Sequence, residues 1–194
     1  MKKVTVTFLS LILLGVLSAF APAEGTYTVV TNASQLKWTG YHLAKSYEHN
    51  GNVKIKSGSL SVADGKINSG EFIIDMTTIT NNDLTDTKDN TKLVNHLKSD
   101  DFFNAKKFPE ATVVIKKSEP TASGIKVTAD LTIRGITKTI EFEATLKDQD
   151  ANMIEATADL KIKRTDFQVM YGWKVENAML SDEFRMEVKL LAKK

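Results

Sequence analysis

Ile125-Lys126-Val127-Thr128-Ala129-Asp130-Leu131-Thr132-Ile133 alternates apolar and polar residues without a slip. Successive side chains of an extended chain point to opposite faces, so this stretch has one oily side and one wet side. The same pattern returns three times downstream. Ile140, Phe142, Ala144 and Leu146 alternate with Glu141, Glu143 and Thr145. Ile154, Ala156, Ala158, Leu160 and Ile162 alternate with Glu155, Thr157, Asp159 and Lys161. Phe184, Met186, Val188, Leu190 and Ala192 alternate with Arg185, Glu187 and Lys189. One wet face per strand is the mark of antiparallel sheets rather than of a parallel sheet covered on both sides.

Upstream the period is again mostly two. Tyr27 to Val30 and Gln35 to Thr39 predict two short strands around a turn at Asn32-Ala33-Ser34. Val53 and Ile55 have one parity and Leu60 and Val62 the other, which predicts a bulge near Ser57-Gly58. Asp64-Gly65 is a hairpin signal leading into a strand through Phe72, Ile73, Ile74 and Met76. Arg134-Gly135 marks a second turn. The period changes once. A polar loop from Asn81 to Asn90 leads to Leu93, Val94 and Leu97 at helical spacing, with Asp86 or Thr87 as N-cap. His96 to Ala111 follows, carrying Phe102, Phe103, Phe108 and Pro109. Phe108 must be extended before Pro109, and a new strand begins at Ala111. We read this segment as a crossover that plugs one end of the sheet structure.

The fold class is therefore all-β, with about eight antiparallel strands and one short helix in a crossover. Closing them into an up-and-down barrel removes exposed edges; a two-sheet sandwich is the alternative. Eight strands enclose either a core of side chains or one small ligand. Ala129, Ala144, Ala156 and Ala158 on the inner face favour a cavity, whereas Phe72, Phe142 and Phe184 are bulky enough to fill it.

Residues 1–23 read as a secretory signal peptide: Lys2 and Lys3, an apolar run from Phe8 to Leu17, then Ala21-Pro22-Ala23. The run is short of the ~20 residues a spanning helix needs, so no transmembrane span is expected in the mature chain, 24–194, which forms one domain. The whole chain has 26 basic and 24 acidic residues. The excess resides in Lys2 and Lys3, so the mature part is neutral and lacks the basic surface that nucleic acid requires. With no cysteine there are neither disulfides nor a lipidated cysteine, and export to the periplasm is expected.

Motifs for catalysis are absent. His42, His49 and His96 match no usual metal-ligand spacing, and there is no nucleophile elbow, H-E-x-x-H or phosphate-binding loop. We expect no enzyme, metal or cofactor. Asp100-Asp101 and Asp182-Glu183 are adjacent acids suited to turns and water. Arg164-Thr165-Asp166-Phe167 has two readings: an Arg–Asp pair that fixes a turn, or an arginine that meets a ligand head group.

Three motifs carry a family resemblance. His96-Leu97-Lys98-Ser99-Asp100-Asp101-Phe102-Phe103 with Lys107-Phe108-Pro109-Glu110-Ala111, Leu131-Thr132-Ile133-Arg134-Gly135-Ile136-Thr137-Lys138, and Lys163-Arg164-Thr165-Asp166-Phe167 resemble, in that order, signatures of the YceI-like, polyisoprenoid-binding family. The resemblance spans the mature chain. It implies a lipocalin-like periplasmic barrel that binds a polyisoprenoid or fatty-acid derivative for carriage, storage or sequestration, without catalysis. The ligand chain is then expected along Trp38, Phe72, Ile74, Val127, Phe142 and Phe184, with Phe102, Phe103 and Phe108 near one end and Arg164 as head-group candidate. A homodimer is compatible with this pattern. The competing reading is a solid barrel acting as an envelope interaction or stress-response module with no lipid ligand.

Overall fold

The computed structural model describes residues 24–43, 47–150, 152–171 and 178–194; the expected signal peptide lies outside them. Nine strands form one antiparallel sheet. They are β1 (Gly25–Val29), β2 (Gln35–His42), β3 (Glu48–Ala63), β4 (Lys66–Asp75), β5 (Glu110–Pro120), β6 (Ile125–Ile133), β7 (Ile136–Asp150), β8 (Met153–Lys163) and β9 (Leu180–Lys193), with helix α1 (Thr87–Lys98) between β4 and β5. Each strand from β3 to β9 pairs with its sequence neighbours, and β2 pairs with both β3 and β9. The ring closes on eight positions, a barrel and not a sandwich.

The ninth strand shares a position. β1 pairs with β3 at Gly25–Thr28 and with β9 at Thr28–Val29, running in the same direction as β2 against the same two neighbours. The two are halves of one broken strand. The Asn32-Ala33-Ser34 turn is thus a kink within it rather than a reversal. Ser34 mends the break, its hydroxyl donating to Val30 O (2.9 Å) and accepting from Leu191 N (3.0 Å).

Both hairpin signals fold as written. Asp64-Gly65 and Arg134-Gly135 are two-residue turns with every φ positive, the conformation whose twist suits adjoining strands. The β3 register slips between Ile55 and Ser57, one residue before the expected bulge. Asp86 caps α1, accepting from Lys88 N and Asp89 N, and His96 and Lys98 lie in its last turn, where cations are favoured.

The segment entering α1 also completes the sheet. β4 leaves β3 at the Lys54–Asp75 pair, which would expose the edge of β3 from Glu48 to Asn52. A strap from Thr78 to Asp83 takes its place: Thr80 N donates to Asn52 O and Asn82 N to Asn50 O, both at 2.9 Å, and Lys54 N donates to Thr78 Oγ1. The strap lies directly over Gly51, where a Cβ would collide with the Thr80 carbonyl. Trp38 Nε1 donates to that carbonyl at 3.1 Å.

Gly51→Ala should therefore displace the strap and cost about 2 kcal/mol of unfolding free energy. Gly40→Ala, where the nearest atom to a new Cβ is 3.8 Å away on Trp38, should be neutral or slightly stabilising. Denaturant titration of the two variants checks the contrast.

Candidate ligand-binding cavity

The inward faces of the strands converge on two layers of different density. At the end holding the β3–β4 turn and the chain's C-terminus, Tyr27, Leu60, Val62 and Ile154 are each at most 2% exposed and form a closed floor. Above them the barrel is hollow. A cavity of about 280 Å³ extends from Leu60 and Ile67 up to α1 and the crossover. Along β8 its wall reaches from Ala156 to Ile162, roughly 20 Å of extended chain.

Side-chain size explains the hollow. Ala144 of β7 is paired with Ala158 of β8, and Leu146 with Ala156, so one side of the wall contributes little volume. Phe72, Phe142 and Phe184 line the cavity without filling it. Ala129 is fully buried but stands apart from the cavity wall. The walls are almost wholly hydrocarbon.

The crossover forms the lid. Leu93 and Leu97, one helical turn apart on α1, and Phe102 and Phe103 after it face the cavity. Phe103 stands edge-on to Phe184 (6.4 Å), and Phe102 touches His96 and Tyr171 in the same manner. Arg134, at the β6–β7 turn, donates from Nη1 to Asp100 O at 2.9 Å and to Phe102 O. This guanidinium ties the lid to the barrel rim at the β6–β7 turn.

Eight of the nine apolar positions expected to meet a ligand line the cavity: Trp38, Phe72, Ile74, Phe102, Phe103, Val127, Phe142 and Phe184. Phe108 does not. Ala111 points inward, and in an extended chain Phe108 shares the outward parity of Glu110. Its ring rests against the β6–β7 turn, where a Cβ on Gly135 would sit 3.1 Å from Phe108 Cε1, and Lys107 Nζ lies 5.1 Å from the ring centre.

Arg164 borders the cavity at its upper rim and is only 6% exposed. Nε donates to Ser181 O at 2.8 Å, Nη1 to Val169 O at 2.9 Å and Nη2 to Leu180 O at 3.4 Å. Among the described residues these partners are backbone carbonyls, not the Asp166 carboxylate that the sequence suggested. The guanidinium sews the 3-10 turn Arg164–Phe167 to the start of β9. Burial opposes its charge, and Asp182 partly offsets that cost.

Polar side chains gather where β2 and β3 reach the same rim, His42 being paired with Leu180. His42 stacks on Tyr47 at 4.4 Å, and Tyr47 meets His49 edge-on; all three border the cavity. His49 Nδ1 lies 2.7 Å from Asp83 Oδ2. Asp83 Oδ1 accepts from Asn50 N and from Asn81 Nδ2, and Asn81 in turn accepts from Leu84 N and from Asn90 of α1. Burial would raise the Asp83 pKa. The bonds from Asn50, His49 and Asn81 outweigh that and hold the carboxyl below its usual range. This network fastens strap, helix and β3 together. His96, 3.4 Å from Asp101, stands outside the cavity wall. Among the described residues no three His, Cys, Asp or Glu side chains are grouped as a metal site.

Sequence reasoning missed Asp83, Arg134 and Gly51. Asp83 sits in a run of Asn, Asp and Thr that reads as any polar loop. Arg134 sits in a turn whose backbone alone drew attention.

The family model described as the YceI-like domain matches residues 27–192. Protein YceI of Escherichia coli is 31% identical over 100 residues, 49% of this chain and 52% of that protein, so the match spans about half the length of this curated relative. BcnA of Burkholderia cenocepacia has the same fold, with a TM-score of 0.71 at 24% identity over 85% of this chain and 99% of that one. A polyisoprenoid binding domain from Saccharophagus degradans superposes with a TM-score of 0.67 at 16% identity, covering 86% and 97% of the two chains.

Asp83→Asn should cost about 2 kcal/mol at neutral pH by weakening three charge-assisted bonds. A depressed folded-state pKa contributes stability that is fully present above the ordinary carboxylate value of about 3.9 and is lost as pH falls through the depressed one. The gap between wild type and variant should therefore narrow in acid, as pH-dependent denaturant titrations will show.

Proposed function

This chain belongs to the YceI-like family, and we propose that its barrel takes up one long-chain apolar ligand, a polyisoprenoid or fatty-acid derivative, without performing chemistry on it. The observation that carries the reading is the cavity itself: about 280 Å³, floored, lidded and walled by hydrocarbon. That volume lies near the lower end of the range for small-molecule sites, about 300–1,000 Å³. The family and a fold shared with a domain whose name states polyisoprenoid binding support the ligand class.

Energetics favour chains over compact solutes. Each buried methylene contributes about 0.8 kcal/mol, equal to about fourfold in affinity. A smooth wall discriminates length and gives little purchase on head-group identity. The expected signal peptide and the family's ligand-binding barrel support carriage, storage or sequestration in the periplasm. The competing reading, a solid barrel serving as an interaction module, loses its main support because the large inner residues do not fill the space.

A series of primary alcohols of increasing length should bind with affinity rising about fourfold per methylene until the cavity is full. Ala156→Phe, which places a ring in the cavity, should weaken binding of the longer members by about tenfold or more without lowering the melting temperature. Titration calorimetry measures the affinities and scanning calorimetry the melting temperature. Affinity independent of chain length would overturn the reading.

A further inference from the structure

Among the described residues the barrel wall has four places where a ladder of hydrogen bonds ends early, and three of them are closed. Ser34 bridges the break between β1 and β2. The Thr78–Asp83 strap covers β3 where β4 departs. Between β4 and β5, beyond the Gly70–Ile115 pair, Ser118 Oγ accepts from Ile67 N at 3.0 Å and donates to Ile67 O at 2.8 Å. Each patch supplies partners that unpaired backbone groups require.

The fourth break is unpatched. β7 and β8 are joined only from the Ala144–Ala158 pair to the Asp150–Met153 pair. Above that rung β7 pairs with β6 and β8 with β9, yet among the described residues nothing joins Ile136–Glu143 to Asp159–Lys163. The Thr145 and Thr157 hydroxyls, 2.7 Å apart, pin the lower end. The 3-10 turn Arg164–Phe167 packs on β7 and β9 at the upper end. Between them runs a slit of roughly 15 Å along the strands.

The slit in the ladder borders the ligand cavity. Its inner edges are Ile140 and Phe142 on one side and Leu160 and Ile162 on the other, all cavity-lining. On the outside a separate depression lies at its lower end, and Ala144, Thr157, Ala158 and Val188 border both that depression and the cavity. The outer rim carries Lys37, Glu143, Asp159 and Lys189. Facing alanines keep the wall thin here.

We propose that this slit is a lateral passage through which the polar end of an amphiphile longer than the cavity crosses the wall, its chain remaining inside. The inference rests on the reading of the cavity as a site for an apolar chain. The floor is closed by buried side chains and the crossover covers part of the top, so the slit offers a long ligand a way out through the wall. A polar end confined within hydrocarbon would cost several kcal/mol, whereas on the charged outer rim it is solvated. The guanidinium of Arg164, already engaged by carbonyls, is then a fastener of the upper end rather than the head-group contact.

The test uses a reversible lock. Glu141 and Lys161 face outward and are two rungs beyond the Thr145–Thr157 pair, so Glu141→Cys with Lys161→Cys places two thiols across the slit in a chain that has no other cysteine. A short bis-maleimide bridges the same thiols if they do not oxidise. Two probes are titrated against the open and locked forms of the same variant: a palmitoyl chain carrying a dansyl head, and decanol, which fits wholly inside. Locking should weaken the dansyl probe by about tenfold or more, or 1.4 kcal/mol, and leave decanol unchanged. Equal binding of the dansyl probe in both forms overturns the passage while leaving the cavity reading intact. Failure of both probes on both forms overturns the cavity reading and the passage with it.

Discussion

The pairing of β2 with β9 is the constraint on which the rest of this barrel depends. Gln35–Gly40 lies against Phe184–Lys189, bringing the first long strand of the chain to the last. Until that ladder forms, the remaining strands are an open sheet with two exposed edges and no interior. Once it forms, every inward residue faces the same axis, and alternation along each strand becomes a division between wall and water. A closure spanning most of the chain costs loop entropy and delivers its hydrogen bonds late. The short β1, the Ser34 mend and the Thr78–Asp83 strap all sit beside this seam or one strand away. They read as reinforcement of the closure.

A hollow interior works against that reinforcement. Burial of apolar surface is the main favourable term in folding, and a void forfeits part of it. At about 24 cal/mol per Å³, a void of the size seen here costs on the order of 7 kcal/mol when empty, a large fraction of ordinary domain stability. The alanines that create the hollow are concentrated on β7 and β8, the same two strands whose ladder stops halfway. Low wall volume and a missing ladder coincide. Both make sense if this side of the barrel serves a ligand, and neither serves stability alone.

Much of this was legible in the chain. Strict alternation in four runs between Ile125 and Ala192 announced antiparallel walls because period two is a direct image of the pleat. Asp64-Gly65 and Arg134-Gly135 announced hairpins because few residues tolerate positive φ. The change of period before Phe102 announced the lid. The hollow was not legible, since small and large residues share the inner face and only register decides that Ala144 meets Ala158. The broken first strand was hidden for a related reason: Tyr27–Val30 and Gln35–Thr39 look like a hairpin until their common partners are known. Phe108 misled because aromatic character says nothing about parity, while Ala111 and Pro109 already contained it. Asp83 acts through His49 and the Asn50 amide, and Arg134 through the carbonyls of Asp100 and Phe102, and pattern along a chain does not report partners so distant in sequence.

The central claim is that the hollow exists to hold a long apolar molecule, so the most direct measurement is the mass of the folded protein as purified from its native host without detergent. Native mass spectrometry followed by organic extraction should show one bound molecule per barrel, released into the organic phase and dominated by an isoprenoid or acyl chain. A chain mass with no adduct, together with an extract free of long-chain lipid, would contradict the account.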